Sequence, residues 1–382
     1  MKVPRYDYRS HFDRFDDFMV ELSTMIAAGH YVLSEEVTEF ERAFAEYLGC
    51  SCVVGVNTGT DALLSSLLAL DLQPHDEVMT QANTFNATVA AICLAGLKPV
   101  LIDADEDSFL INADHALAGI GARTRVLLPV HLYGKPTPMG ALLRECEKRG
   151  LDLVEDAAQA HGARIGGRRV GTFGVLGCFS FHPSKNLAAA GDGGAVATNR
   201  ADLQRRLATL RTLGQAAQND HVHLGYNTKL DAIQAKILSW KLPALDRWNG
   251  ERRNIARAYR EQLLDLPLTF QSWDEDEEHV FHLFVIRTAQ RNRLLEYLRS
   301  KGIDAVVRYP VPIHLQRAFS NCGWRAGQFP VAEALAHELL CLPIRPNLTL
   351  IEVEYVADCI RAFFAGHPIS FDYSAARSAG AT

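Results

Sequence analysis

A strong charge of either sign is missing from this sequence. Its 39 Lys and Arg stand against 45 Asp and Glu, a formal charge of -6 over 382 residues. Basic residues are scattered among acidic ones, and the cluster from Arg164 to Arg169 is too short to track a phosphate backbone, so a nucleic-acid partner is not expected. Also missing is any uninterrupted apolar run near the roughly 18 residues that a membrane span needs. The start, MKVPRYDYRSHFDRFDDF, is too charged for a signal peptide. A cytoplasmic protein without a membrane partner is the expectation.

Paired cysteine motifs are absent too. The eight cysteines show no C-x-x-C spacing and most sit inside apolar runs, which reads as small buried hydrophobes in a reducing compartment. The 14 histidines include His221-x-His223 and His279-x-x-His282, but further ligands are not nearby and no H-E-x-x-H occurs, so no metal site is assigned. No P-loop, no G-x-G-x-x-G after the first strand and no G-x-S-x-G elbow is found, which leaves nucleotide hydrolysis and serine hydrolysis without an anchor.

What is present is an ordinary globular balance, 48% hydrophobic and 22% charged, long enough for a large core and two domains. From residue 50 to 200 short apolar runs alternate with helical segments. Strands are expected at 52–56, 77–81, 98–103, 125–132, 151–156, 177–181 and 194–199, with helices at 60–70, 85–96 and 139–150. The strand runs are nearly continuous rather than alternating, which suits a mostly parallel sheet covered on both faces. Ligands of such an α/β domain sit at the carboxyl ends of the strands.

After Asn199 the segments lengthen and become charged. A helical run from Lys229 to Leu266 should be divided at Pro243. A smaller unit follows, with strands at 279–288 and 304–309 and helices at 291–302 and 350–366. The division is placed near residue 246, giving a large domain 1–245 and a small C-terminal α/β domain 246–382. Only the tail after about Phe371 reads as dispensable.

Four features fall at expected strand ends. In NTGTDALLSSLLAL, Gly59 and Thr60 open a helix whose free N–H groups suit a phosphate, or simply form a capped helix start. In LVEDAAQAHGA, Asp156 ends a buried strand with Gln159 close behind, as a cap or as a functional anion. In CFSFHPSKNLAAAGDGG, Ser180 and Lys185 follow another strand; Lys185 is the one Lys or Arg between Arg169 and Arg200, a loop cation or a nucleophile. In TFNATVAA, Phe85 begins a helix, as core or as a stacking face.

Together these groups meet the needs of pyridoxal 5'-phosphate (PLP). A lysine amine can condense with the cofactor aldehyde and then move protons. An acid keeps the pyridine nitrogen protonated, an aromatic covers the ring, and helix N–H groups hold the phosphate. An aromatic neighbourhood would lower the lysine pKa.

The sequence resembles the DegT/DnrJ/EryC1/StrS sugar aminotransferases, of the aspartate aminotransferase-like fold type I. The resemblance runs from GHYVLSEEVTEFERAFAEYLG to LPIRPNLT and rests on NTGTDAL, TFNATVAAICLAG, PVLIDAD, PVHLYGKP, EDAAQAHGA, FSFHPSKNLAAAGDGGAV and GYNTKLDAIQAKIL. It implies Lys185 as the Schiff-base lysine, Asp156 as partner of the pyridine nitrogen and Gln159 as partner of the ring hydroxyl. Gly59, Thr60 and Ser180 would hold the phosphate, Phe85 would stack on the ring, and Asn227 would reach the phosphate of a neighbouring subunit, which implies a homodimer. RYPVPIHLQ resembles the substrate-side segment, making Tyr309 and His314 candidate substrate contacts; His182 receives no role.

The implied reaction is amination of a keto group on a nucleotide-linked deoxysugar, at C3 of a dTDP-3-keto-6-deoxyhexose, with L-glutamate as donor. C4 amination and aminocyclitol amination are alternatives. The related 3-dehydratases replace the lysine with histidine, against which Lys185 stands. A purely regulatory protein would have no reason to keep Lys185, Asp156 and Ser180, and a basic recognition helix is not found.

Overall fold

The computed structural model describes residues 1–273 and 277–366. The tail after Phe371 lies outside the described residues.

Seven strands form the central sheet, in the spatial order Cys52–Val56, Gly194–Thr198, Leu176–Ser180, Asp152–Asp156, Thr124–Leu127, Glu77–Gln81 and Lys98–Ile102. Gly194–Thr198 runs antiparallel to both its neighbours, and the other pairings are parallel. Successive side chains enter different cores, as a two-residue period requires. Cys178 and Val196 join one core with Leu63 and Leu67, whereas Phe179 and Ala195 join another with Phe40 and Phe44. Both faces are therefore dry, which explains why these strands read as unbroken apolar runs.

The strand expected over 125–132 stops at Leu127. Pro129 has no N–H to give to the ladder; its carbonyl takes the Asp156 N–H at 3.0 Å, and pairing resumes only as an isolated bridge in which the His131 N–H returns to the Asp156 carbonyl at 3.0 Å. Pro243 divides the long helical run as expected: helix Ala232–Lys241 passes through a 3-10 turn, Leu242–Ala244, into helix Leu245–Leu263.

That last helix joins two cores. Leu245 packs under the central sheet, while Ile255, Tyr259 and Leu263 pack with Phe284, Leu340 and Val356. The second core backs a three-stranded antiparallel sheet of Thr269–Phe270, Phe284–Arg287 and Leu339–Leu342, with helices Arg291–Ser300 and Leu350–Ala365. A Thr349/Glu352 capping box starts the latter and Gly366, at φ 69°, ends it. The first residues of the chain also join this core through Val3, which bridges to Ile303.

The strand expected over 304–309 does not form. Val306 makes a single bridge to Cys341, after which the Arg308 carbonyl turns away to accept the Tyr133 hydroxyl at 2.9 Å. Apolar alternation marked this segment as extended, but a long-range side-chain donor ends its pairing. All eight cysteines are free of disulfides. Among the described residues no helix is long and apolar enough to cross a membrane, and no group of His, Cys, Asp or Glu could hold a metal ion.

Candidate active site

The carboxyl ends of the central strands open into a cavity of about 580 Å³. Of the residues singled out from the sequence, Gly59, Thr60, Phe85, Asp156, Gln159, Ser180, Lys185 and Tyr309 line it. They come from segments scattered over 250 positions, and the sheet order brings them together.

The helix Gly59–Ala69 points its N-terminus into this space. Its cap is Thr58, whose Oγ1 accepts the Asp61 N–H at 2.9 Å, while the Ala62 N–H goes to the Thr58 carbonyl at 3.0 Å. Among the described residues the N–H groups of Gly59 and Thr60 have no acceptor, so two donors and the positive end of the helix dipole are left for an anion. Ser180, the last residue of its strand, sits against this turn. A methyl added at Gly59 would lie 2.6 Å from Ser180 Cβ, so only glycine lets helix and strand end meet so closely.

Asp156 ends the strand Asp152–Asp156 and is 4% exposed. Its Oδ2 accepts the Thr88 hydroxyl at 2.9 Å and its Oδ1 the Ala158 N–H at 3.1 Å. Burial raises its pKa, opposed by those two donors and by the charge of Lys185. A buried carboxylate held by two donors and facing a cation is suited to keep a proton on a basic ring nitrogen.

Lys185 follows from Ser180 through a tight turn closed by its own N–H on the His182 carbonyl at 2.8 Å. Its amine makes no ion pair among the described residues. Loss of solvent lowers its pKa to about 8, with Arg308 acting in the same direction and Asp156 against. Near neutrality a usable fraction of this amine is unprotonated, as a nucleophile and proton carrier requires.

Gln159 is fixed at both ends of its amide: Oε1 accepts the Tyr133 N–H at 2.8 Å and Nε2 donates to the Tyr309 hydroxyl at 3.0 Å. Phe85, at the N-cap of helix Asn86–Leu94 and 49% exposed, lies with its ring centroid 5.2 Å from that of Tyr309.

Two residues lie elsewhere. His314, a candidate substrate contact, does not line the cavity: its side chain is wholly buried, its Nε2 pairs with Glu333 at 2.8 Å and its ring meets Phe329 edge-on. Asn227 is exposed outside the cavity, its Oδ1 accepting from Lys229.

Residues given no role here from sequence also line the cavity, among them Tyr6, Asp192 and Arg308, as does His282, considered above only as a metal ligand. Tyr6 arrives from the N-terminus because Arg5 pairs with Asp304 at 3.0 Å. No local pattern marks it. His182 lines the wall as well, with Nδ1 against the Ser184 hydroxyl at 2.9 Å.

A mostly parallel sheet, a lysine and a buried acid at its strand ends and a second α/β unit beside them make up the aspartate aminotransferase-like architecture, fold type I. Comparison with known proteins agrees. The sequence model of the DegT/DnrJ/EryC1/StrS aminotransferase family matches residues 15–361, and the chain belongs to that family.

It is 39% identical to the dTDP-3-amino-3,4,6-trideoxy-alpha-D-glucose transaminase of Streptomyces venezuelae, over 94% of this chain and 96% of that one. A protein of Geobacillus stearothermophilus named as a pleiotropic regulatory protein is 38% identical over 95% of this chain and 99% of its own. Among solved structures, S. venezuelae DesV in complex with a ketimine intermediate superposes with a TM-score of 0.92 at 39% identity, covering 95% of this chain and 98% of that one.

Proposed function

We propose that this aminotransferase aminates C3 of a nucleotide-linked keto-deoxysugar, a dTDP-3-keto-6-deoxyhexose, with L-glutamate as donor and PLP as cofactor. The observation that carries the proposal is the meeting of Lys185, Asp156, Ser180 and two unpaired helix N–H groups around one cavity. The donor set fits the cofactor. Backbone donors of Gly59 and Thr60 with the Ser180 hydroxyl would take its phosphate, the Asp156 carboxylate its ring nitrogen, the Gln159 amide its ring hydroxyl, and Phe85 would cover one face.

When bound, PLP supplies an aldehyde that condenses with amines and a ring that accepts the electron pair released at the substrate carbon. The chain's own residues do the remainder. Lys185 Nζ takes and returns the proton at that carbon, with a pKa near enough to neutrality to do both. The Asp156 carboxyl, its two hydrogen bonds opposing the effect of burial, would face the positive charge of the ring nitrogen. A neighbouring structure, NtdA of Bacillus subtilis with bound PMP, matches at 28% identity and a TM-score of 0.88, which supports this cofactor class.

Several relatives' names place their nitrogen or keto group at position 3, on dTDP- and UDP-linked sugars alike. That favours C3 over C4 and over an aminocyclitol. We propose further that the large domain is residues 1–245 and the small one 246–382, that the enzyme works in the cytoplasm, and that two copies form a dimer in which the exposed Asn227 completes the phosphate site of the other subunit.

An absorbance spectrum of the purified protein tests the cofactor assignment. A visible band lost in Lys185→Ala is expected, and its absence from the wild type overturns the reading. Half-reactions with dTDP-linked 3-amino and 4-amino sugars then test position. Regeneration of keto sugar from the 4-amino compounds alone would show the C3 assignment wrong.

A further inference from the structure

Of the eight cysteines, Cys93 and Cys322 are exposed, while Cys50 and Cys52 are half-buried and the other four are buried. The exposed two stand far apart in sequence, so no spacing motif relates them. The fold nevertheless brings their thiols close enough to interact directly.

That meeting is the last of three contacts between two neighbouring segments. Positions 86, 89, 90 and 93 share one face of helix Asn86–Leu94, as the spacing of three and four residues requires. The chain from Gln316 through the 3-10 stretch Arg317–Cys322 runs beside this face. The Asn86 amide donates to Gln316 Oε1 at 2.7 Å, Val89 packs in one core cluster with Phe319, with Ala90 and Trp324 against it, and Cys93 meets Cys322 at the far end. The Ile313 N–H also holds the Ala82 carbonyl at 3.2 Å, and Gly323, at φ 76°, turns the chain away directly after Cys322. Both thiols thus rest on segments already fixed to each other.

Each segment also leads to the cavity. Phe85 caps the helix, Thr88 in its first turns holds Asp156, and Tyr309, a few residues ahead of the 3-10 stretch, lies against the Phe85 ring.

We propose that Cys93 and Cys322 are a redox-active pair, which hydrogen peroxide closes into a reversible disulfide, and that this bond clips the helix behind Phe85 to the segment that follows Tyr309. In the first step one sulfur takes an oxygen from the O–O bond, giving a sulfenic acid and one water. The second sulfur then displaces the sulfenic hydroxyl, which leaves with the thiol proton as a second water. Two S–H bonds and the O–O bond are lost, one S–S bond is gained, both sulfurs are oxidised and the peroxide is reduced. Exposure favours this pair over the buried cysteines, since oxidant must reach the sulfur. Burial of its sulfur and, second to that, the neighbouring thiol push Cys93 up to about 11, so near neutrality it keeps its proton and closure should quicken as pH rises. In a reducing compartment such a bond is transient, reopened by thiol exchange.

The test uses the purified protein as isolated. After hydrogen peroxide treatment, remaining thiols are blocked with a maleimide under denaturing conditions, and the unreduced protein is digested and read by mass spectrometry. Wild type should lose two of its eight blockable thiols and yield one peptide joining the Cys93 and Cys322 segments, which dithiothreitol separates. Cys93→Ser and Cys322→Ser, both at exposed positions, should yield no joined peptide. The thermal midpoint of oxidised wild type should rise by about 2 to 6 °C and return on reduction, with no rise in either variant.

Sulfinic acids at Cys93 and Cys322 without a joined peptide overturn the inference, as do a linkage found only between chains and a pair left free while another cysteine is oxidised. A joined peptide with an unmoved midpoint overturns the clip, because the bond would then leave the two segments as free as before.

Discussion

Gln159 donates to the Tyr309 hydroxyl at 3.0 Å across 150 residues of sequence, and this bond ties the turn after the Asp156 strand to the segment that carries Arg308. The two residues line one cavity. Gln159→Leu should lower cofactor affinity and also weaken substrate binding, because the same amide orders both segments. Loss of about 1 to 3 kcal/mol of stability is expected from the unpaired Tyr133 N–H that it leaves, to be read by chemical denaturation beside the cofactor titration.

Thr88→Val removes one of the two donors that lower the Asp156 pKa against burial. Burial already raises the Asp156 pKa, so the variant carboxyl should protonate at higher pH than the wild type. The acid limb of the activity profile is expected to move up while the alkaline limb stays, and an unmoved acid limb would show that Thr88 does not serve Asp156.

Gly59→Ala places a methyl 2.6 Å from Ser180 Cβ. Helix and strand end must separate, at about 1 to 3 kcal/mol for overpacking, and the phosphate donors move apart with them. Cofactor should then be lost on dialysis under conditions where wild type retains it.

Lys185 gives a signed pH prediction for the protein without cofactor. Its pKa falls from 10.5 to about 8 on folding, so between those values the unfolded chain binds more protons and stability rises with pH. Below about 8 both states are protonated and the folded state carries the full penalty. Lys185→Met should therefore stabilise the apoprotein at pH 7 by on the order of 1 to 2 kcal/mol, less than the full shift because the side chain keeps some water. The gain should fade from pH 8 to 10.5. Urea denaturation of the two proteins across that range is the check.

His314 sits outside the cavity, paired with Glu333. His314→Leu is expected to cost about 0.5 to 1.5 kcal/mol by removing this hydrogen bond and to leave KM for both substrates unchanged. Asn227 is tested by mixing: Asn227→Ala and Lys185→Ala chains, each inactive, should regain activity when co-refolded, because one site of the mixed dimer is then whole. No recovery would show that the phosphate site is completed within one chain.

The chemistry was legible where it sat on local pattern. Apolar runs marked all seven central strands, and Asp156, Ser180 and Lys185 stand out because a charged or hydroxyl residue at or just beyond the end of a buried strand needs a reason. Thr88, Tyr6, His282 and Arg308 were not legible, since each looks like an ordinary helix, terminal, strand or loop residue until distant chain arrives beside it. His314 shows the reverse: proximity to Tyr309 in sequence suggested the cavity, but one further turn buries it against Glu333 and Phe329.

The sequence by itself determined the layered α/β architecture and the kinds of group at its strand ends, because burial of both sheet faces and the end of a strand are properties of a few neighbouring residues. Only the tertiary structure decided which donors hold Asp156, why Gly59 must lack a side chain and which arginine faces the cavity. Those are contacts between segments tens to hundreds of residues apart, and their distances are set by how the strands order across the sheet.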